Sequence, residues 1–65
     1  MMTVKDFMEK TMGVDEFNIG GKDIYCSCRA CNKNDAIKDC GERKIISIHF
    51  YVDYYDDKCV DIEIE

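Results

Sequence analysis

Apolar positions near the start of the chain recur at the spacing of one helix face. They are Val4, Phe7, Met8 and Met12. Thr3 precedes them as a helix-capping residue type, and Asp6 follows three positions later near the positive end of the helix. Gly13 suits the left-handed conformation that ends many helices. The pattern predicts a short helix over 3–13, with the methionines packed in the core.

The stretch DEFNIGGKDIYCSC predicts a β-hairpin. Gly20-Gly21 can take the positive φ values of a primed two-residue turn, and that turn would pair Phe17 with Ile24. Side chains alternate between the two faces of a strand. One face then carries Phe17, Ile24, Cys26 and Cys28, and the other carries Tyr25 and Ser27.

The segment NKNDAIKDCG predicts a second helix of about two turns. Asn32 or Asn34 would cap it, and Gly41 would end it. Its apolar side carries Ala36, Ile37 and Cys40.

Strict alternation in KIISIHFYVD and KCVDIEIE predicts the last two strands. The alternating apolar residues are Ile46, Ile48, Phe50 and Val52 in the first strand, and Val60, Ile62 and Ile64 in the second. Both sets lie on one side of the sheet only if the loop between the strands has an odd number of residues. We therefore predict an odd loop such as Tyr55-Asp56-Asp57.

The element order α-β-β-α-β-β predicts one α+β domain over residues 1–65. We expect an antiparallel sheet of about four strands with the N-terminal helix packed on its apolar face. A chain of 65 residues buries only about 60% of its unfolded surface, so its stability is marginal without a staple or a partner.

The formal net charge of -5 is concentrated at one end of the chain. Residues 1–50 carry eight acids and eight bases. The last fifteen residues have Lys58 as their single base, against the acids Asp53, Asp56, Asp57, Asp61, Glu63 and Glu65. This asymmetry disfavours direct binding to nucleic acid or an anionic membrane, and it favours a basic protein partner.

The sequence also indicates a compartment. No apolar run approaches 18 residues, and the N-terminus has neither a basic region nor an apolar one of the signal-peptide type. Five cysteines, an odd number, fit poorly with a closed disulfide framework. We expect a cytosolic protein with reduced thiols.

Four of the cysteines have a spacing that suggests zinc as one alternative. Cys26, Cys28, Cys31 and Cys40 would supply four thiolates, although only Cys28 and Cys31 form the C-x2-4-C pair typical of structural sites. The other interpretations are small buried thiols, which the pattern favours, and a disulfide or redox pair. We therefore expect no cofactor, with zinc as the alternative.

No catalytic constellation is present in the sequence. His49 falls opposite Asp61 or Glu63 in the odd-loop register, an arrangement more typical of a surface ion pair than of a general base. No nucleophile has an identifiable base beside it, and no glycine-rich phosphate loop occurs. We do not expect an enzyme.

The final hairpin instead presents a candidate protein-binding surface. Its members are Tyr51, Asp53, Tyr54, Tyr55, Asp56, Asp57, Asp61, Glu63 and Glu65. Solvation of an outer face and protection of a terminal edge strand against aggregation would explain some of these carboxylates. Clustered carboxylates beside tyrosines also suit the binding of Arg and Lys on a partner. Both interpretations remain open from sequence.

The segments MTVKDFMEK and ERKIISIHFYVDYYDDKCVDIEIE, with the small size, resemble short acidic proteins of phages and mobile elements of low-GC Gram-positive bacteria. Some proteins of that kind are anti-CRISPR or other anti-defence inhibitors, several of which occupy the DNA-binding channel of their target. The resemblance implies an inhibitor that acts in the host cytosol. It assigns no residues.

Three functions follow as hypotheses. The first is an acidic protein-binding module that mimics phosphate on a basic nucleic-acid-binding surface. The second is a zinc-stabilised structural mini-domain. The third is a self-associating accessory domain, a homodimer formed through an exposed strand edge.

Overall fold

The computed structural model describes residues 2–65 and has the predicted order of helices and strands. The elements are α1 (Val4–Lys10), β1 (Glu16–Gly20), β2 (Tyr25–Arg29), a 3-10 turn (Ala30–Asn32), α2 (Lys33–Cys40), β3 (Ile45–Val52) and β4 (Lys58–Ile64). They form a single α+β domain with four strands. Neither helix in the described part of the chain has the length and apolar character needed to cross a membrane.

The sheet is mixed, which corrects the expected antiparallel arrangement. The strand order is β2-β1-β4-β3, with antiparallel hairpins β1/β2 and β3/β4. The two hairpins join through β1 and β4, which run parallel. The C-terminal strand β4 therefore lies in the centre of the sheet, and β3 is an edge.

Both helices cover one face of the sheet, and the core lies between the two layers. Its buried members are Val4, Phe7, Met8, Phe17, Ile19, Ala36, Cys40, Val60, Ile62 and Ile64. Within residues 2–65, no helix covers the opposite face. We call it the outer face.

Helix α1 begins as predicted and ends earlier than predicted. Thr3 accepts a hydrogen bond from the Asp6 amide at 3.2 Å, and the Asp6 carboxylate accepts one from the Thr3 amide. The helix stops at Lys10. Gly13 does have a positive φ of 82°, but it lies in the following loop. The expectation that Met12 shares the buried face is wrong, since beyond the helix its side chain is 92% exposed.

Helix α2 shows one correction at each end. Asn32 occupies the N-cap position but its side chain makes no capping hydrogen bond. Gly41 ends the helix with an ordinary helical φ of -60°. A Cβ atom there would come within 2.3 Å of the Ile37 carbonyl oxygen, so close approach of the chain, and not a left-handed turn, requires glycine.

The first hairpin has a longer loop than predicted. Gly20 pairs with Tyr25, so four residues connect the strands, and Phe17 pairs with Cys28, where Ile24 was expected. Both registers leave Cys26 and Cys28 on the face of Phe17, because four is also an even number. That part of the prediction is confirmed.

The second hairpin confirms the odd loop, with five residues instead of three. Val52 pairs with Lys58, so the connecting turn is 53–57. A bulge at Ile46 shifts the register, and Ile45 packs on the core in its place. The prediction that Ile46 faces the core is therefore wrong. Phe50 and Val52 lie on the core side but remain 58% and 61% exposed, because β3 is the edge of the sheet.

Candidate protein-binding surface

The outer face carries a row of carboxylates along its central strand. Asp61 and Glu63 project from β4 at alternate positions, and Glu65 follows directly after the strand. All three are exposed. Alternate residues on a strand are about 6.6 Å apart, so the row has a regular spacing. Because β4 is not an edge, protection of a sheet edge does not explain these charges.

Polar side chains from both neighbouring strands hold Asp61 and Glu63 in place. Asn18 of β1 donates hydrogen bonds to Asp61 at 3.2 Å and to the Tyr51 hydroxyl at 3.1 Å. The Ser47 hydroxyl of β3 donates to Glu63 at 3.1 Å. Each contact fixes a carboxylate without neutralising it.

No cation in the described part of the chain forms a salt bridge with the side chains of this row. The salt bridges of residues 2–65 are elsewhere: Arg29 with Asp57 at 2.9 Å, and Arg43 with Asp23 at 2.8 Å. The negative charge of Asp61 and Glu63 is thus open to a partner.

Two aromatic rings lie beside the row. His49 pairs with Asp61 across the hairpin, and its ring stacks on Tyr51 with 5.9 Å between centroids. Burial and the neighbouring Asp61 carboxylate raise the pKa of Tyr51 to about 12, so the phenol stays protonated at neutral pH. Tyr51 therefore offers a rigid, uncharged contact surface next to the acids.

An open groove of about 730 Å³ runs across this face. Tyr25 of β2 and Ile46 of β3 line it together with Asp61 and Glu63. Apolar walls around carboxylates suit the side chain of Arg or Lys, whose stem is apolar and whose end is charged. The bulge at Ile46 contributes to this surface, because it turns an apolar residue outward.

The turn of the last hairpin has a different character from the row. Asp53 accepts hydrogen bonds from the amides of Tyr55 and Asp57, both at 2.9 Å, and Asp57 is held by Arg29. These two carboxylates serve the turn itself. Asp56 is exposed and takes a positive φ of 63°.

Two tyrosines project from that turn into solvent. Tyr54 and Tyr55 are 93% and 80% exposed, and their rings pack edge to face with 5.4 Å between ring centroids. The predicted surface therefore divides into an open carboxylate row, which we call the acidic row (Asp61, Glu63 and Glu65), and a structured aromatic turn.

The sequence missed the contribution of the first hairpin. Asn18, Tyr25 and Ser27 stand on the outer face, and Ser27 donates to Asn18 at 2.7 Å. The alternation of side chains along the strands already indicated that these residues face away from the core. Their position beside Asp61 was not, because it depends on the parallel pairing of β1 with β4.

The four spaced cysteines are not brought together as one ligand set. Cys26 and Cys40 lie 3.9 Å apart between their sulfur atoms, while Cys31 is exposed. Burial and the nearby Cys26 raise the pKa of Cys40 to about 12.

A different cluster does have ligand atoms close enough together to hold a metal ion. Among residues 2–65, the ligand atoms of Glu16, Asp53 and Cys59 lie within 4.8 Å of one another. The Cys59 thiol is buried, and burial together with the Asp53 and Glu16 carboxylates raises its pKa. Its sulfur lies 3.7 Å from a carboxylate oxygen of Glu16 and 3.7 Å from one of Asp53, so its single S–H can donate to either.

Comparisons with known proteins give no relatives. No family model, no curated protein and no solved structure matches this chain.

Proposed function

We propose that this chain is a small protein-binding module whose outer face binds a basic surface on a partner protein. The observation that carries the proposal is the acidic row on the central strand. Asn18 holds the Asp61 carboxylate and Ser47 holds that of Glu63, yet neither carboxylate has a salt-bridge partner among the described residues. Carboxylates about 6.6 Å apart on one strand repel one another, and a basic partner surface would relieve that repulsion.

The partner class follows from the charge. Regularly spaced carboxylates resemble the phosphates of a nucleic-acid backbone, and Lys and Arg line the channels that bind such backbones. We propose that the chain acts in the cytosol as an inhibitor that covers the nucleic-acid-binding surface of a host defence protein. The resemblance to anti-defence proteins of mobile elements supports this partner class.

A displacement assay tests the proposal. A labelled DNA duplex is bound to purified DNA-binding effector nucleases of bacterial defence systems, and this protein is added at increasing salt. We expect it to release DNA from at least one effector, with an apparent affinity that falls steeply as salt rises. If none of the effectors releases DNA, the proposed inhibition is wrong.

A matched pair of variants separates the outer face from bulk charge. D61K/E63K reverses two charges of the row, whereas E9K/D39K reverses two exposed charges on the helical layer and changes net charge equally. We expect displacement to be lost only in D61K/E63K, with both variants folded by circular dichroism. Equal loss in both variants would show that only net charge matters.

A further inference from the structure

The edge strand β3 presents main-chain groups that have no partner in the described sheet. The Asp53 amide donates to the Asp57 carbonyl at 3.0 Å, and the Lys58 carbonyl accepts from Asp15, on the opposite side of β4, at 2.7 Å. Hydrogen-bonded and non-hydrogen-bonded pairs alternate along an antiparallel ladder. The amides and carbonyls of Ile48, Phe50 and Val52 therefore point away from β4, toward the open edge.

The open edge has definite limits. At its start, the Ile45 amide donates to the Met2 carbonyl at 3.0 Å. The main chain of Thr3 also forms an isolated antiparallel β-bridge with Lys44. The N-terminal segment thus covers the beginning of β3. The stretch that remains open runs from residue 48 to residue 52.

Exposed apolar side chains border the same stretch. Phe50 and Val52 are 58% and 61% exposed on the core side of the sheet, and Met12 is 92% exposed. These three residues line an open groove of about 730 Å³. Unpaired main-chain groups and exposed apolar side chains therefore lie along the same stretch of β3.

The charged residues lie on the central strand β4 and not on the edge strand β3, where they would prevent pairing with another chain. Natural edge strands usually carry Lys or other charges that prevent pairing with another chain. Here the eight residues Ile45–Val52 include no Asp, Glu, Lys or Arg, while the acids lie on the central strand. The edge is thus open to an added strand.

We propose that two copies of this chain pair through β3 in an antiparallel, two-fold arrangement centred on Phe50. This register places Phe50 beside Phe50 of the second copy, and Ile48 beside Val52 of the second copy. It matches the open stretch of 48–52 from end to end. Registers centred nearer the start of β3 would collide with the segment that covers Ile45.

The lack of Asp, Glu, Lys and Arg on β3 makes this edge the place where a second copy can bind. Two chains of net charge -5 repel each other over most of their surfaces. Pairing through β3 brings an uncharged strand against an identical uncharged strand, with the apolar patches in contact. It also directs the acidic turn 53–57 of one copy toward Lys44 of the other.

The dimer has a consequence for the outer face. A two-fold axis perpendicular to the sheet keeps both outer faces on one side of an eight-stranded sheet. The two acidic rows then lie three strand spacings apart, roughly 14 Å. Because the strand pairing is short, its area is below that of a standard stable interface, and we expect dissociation in the micromolar range or weaker.

Hydrogen exchange measured at several protein concentrations tests the pairing. Amides of Ser47, His49 and Tyr51 bond to β4 and should be protected at every concentration. Amides of Ile48, Phe50 and Val52 should exchange fast in dilute protein and at least about tenfold more slowly near millimolar concentration. Sedimentation of the same samples should show a rise from 7.6 kDa to twice that mass.

Variants at the edge complete the test. V52K adds a charge and V52P removes an outward amide, so both should remain monomeric. I46K is the matched control, because Ile46 is 58% exposed, close to the 61% of Val52, but lies on the outer face outside the open stretch. It should still dimerise.

Three outcomes overturn the proposal. They are a wild-type protein that is monomeric near millimolar concentration, a dimer that persists in V52K and V52P, and a dimer in which the three edge amides stay unprotected. The first outcome would leave a strand of a different protein as the occupant. None of them affects the DNA-displacement result, because the acidic row is on another surface.

Discussion

Replacing Asp53 with alanine should destabilise the last hairpin, although the sequence predicted a partner-binding role for this residue. Its carboxylate accepts two main-chain hydrogen bonds, from Tyr55 and Asp57, and both measure 2.9 Å. Each such bond contributes about 1 kcal/mol in a partly solvated turn. The D53A variant should therefore lose about 2 kcal/mol of unfolding free energy.

For a domain of this size, that loss corresponds to a fall in melting temperature on the order of 10 °C. Thermal unfolding followed by circular dichroism measures it. The D53N variant is the control, because its amide oxygen can still accept both bonds, and it should lose less than half as much. If D53A melts within about 2 °C of the wild type, or if D53N is equally destabilised, the turn does not depend on these bonds.

Three further predictions concern other parts of the fold. G41A should lower the unfolding free energy by about 1–3 kcal/mol in urea titrations, because the added Cβ meets the Ile37 carbonyl oxygen; unchanged stability would contradict this close approach. Tyrosinate absorbance should place the ionisation of Tyr51 near pH 12, and D61N should move it to lower pH, because removing the neighbouring carboxylate removes one cause of the raised pKa. The raised pKa of Cys40, from 9.0 to about 12, stabilises the folded state below pH 9, and this contribution should disappear as the pH rises from about 9 to 12. The Cys40-dependent part of the melting temperature should therefore fall over this range, and one that stays flat or rises would contradict the prediction.

Local patterns in the sequence were enough to place the elements. The helix cap at Thr3, the alternation of Val60, Ile62 and Ile64, and the odd parity of the last loop are all confirmed. Each depends on residues close to one another in the chain. A period of two assigns side chains to faces whether or not the exact loop length is known.

Long-range pairing was beyond the reach of those patterns. Nothing in either strand specifies that β1 runs parallel to β4, since the contact joins residues over forty positions apart. This one pairing moves Asp61 and Glu63 from a supposed edge to the centre of the outer face, and it brings Asn18 to them. It also makes the uncharged β3 an edge.

The division of the carboxylates was likewise hidden from the sequence. Asp53 and Asp57 look equivalent to Asp61 in composition. The first two are engaged by main-chain amides and by Arg29, a residue on β2 across the sheet. Only the folded arrangement separates acids that hold the turn from acids that are open to a partner.

Titration of the isotope-labelled protein with an arginine-rich peptide tests the central claim most directly, since it needs no identified partner. We predict that amide chemical shifts change first along the outer face, at Asn18, Tyr51, Asp61 and Glu63, and that D61K/E63K abolishes these changes. Shifts of equal size at Glu9 and Asp39 on the helical layer would contradict the claim. They would show that the acidic row attracts cations no better than any other exposed acid.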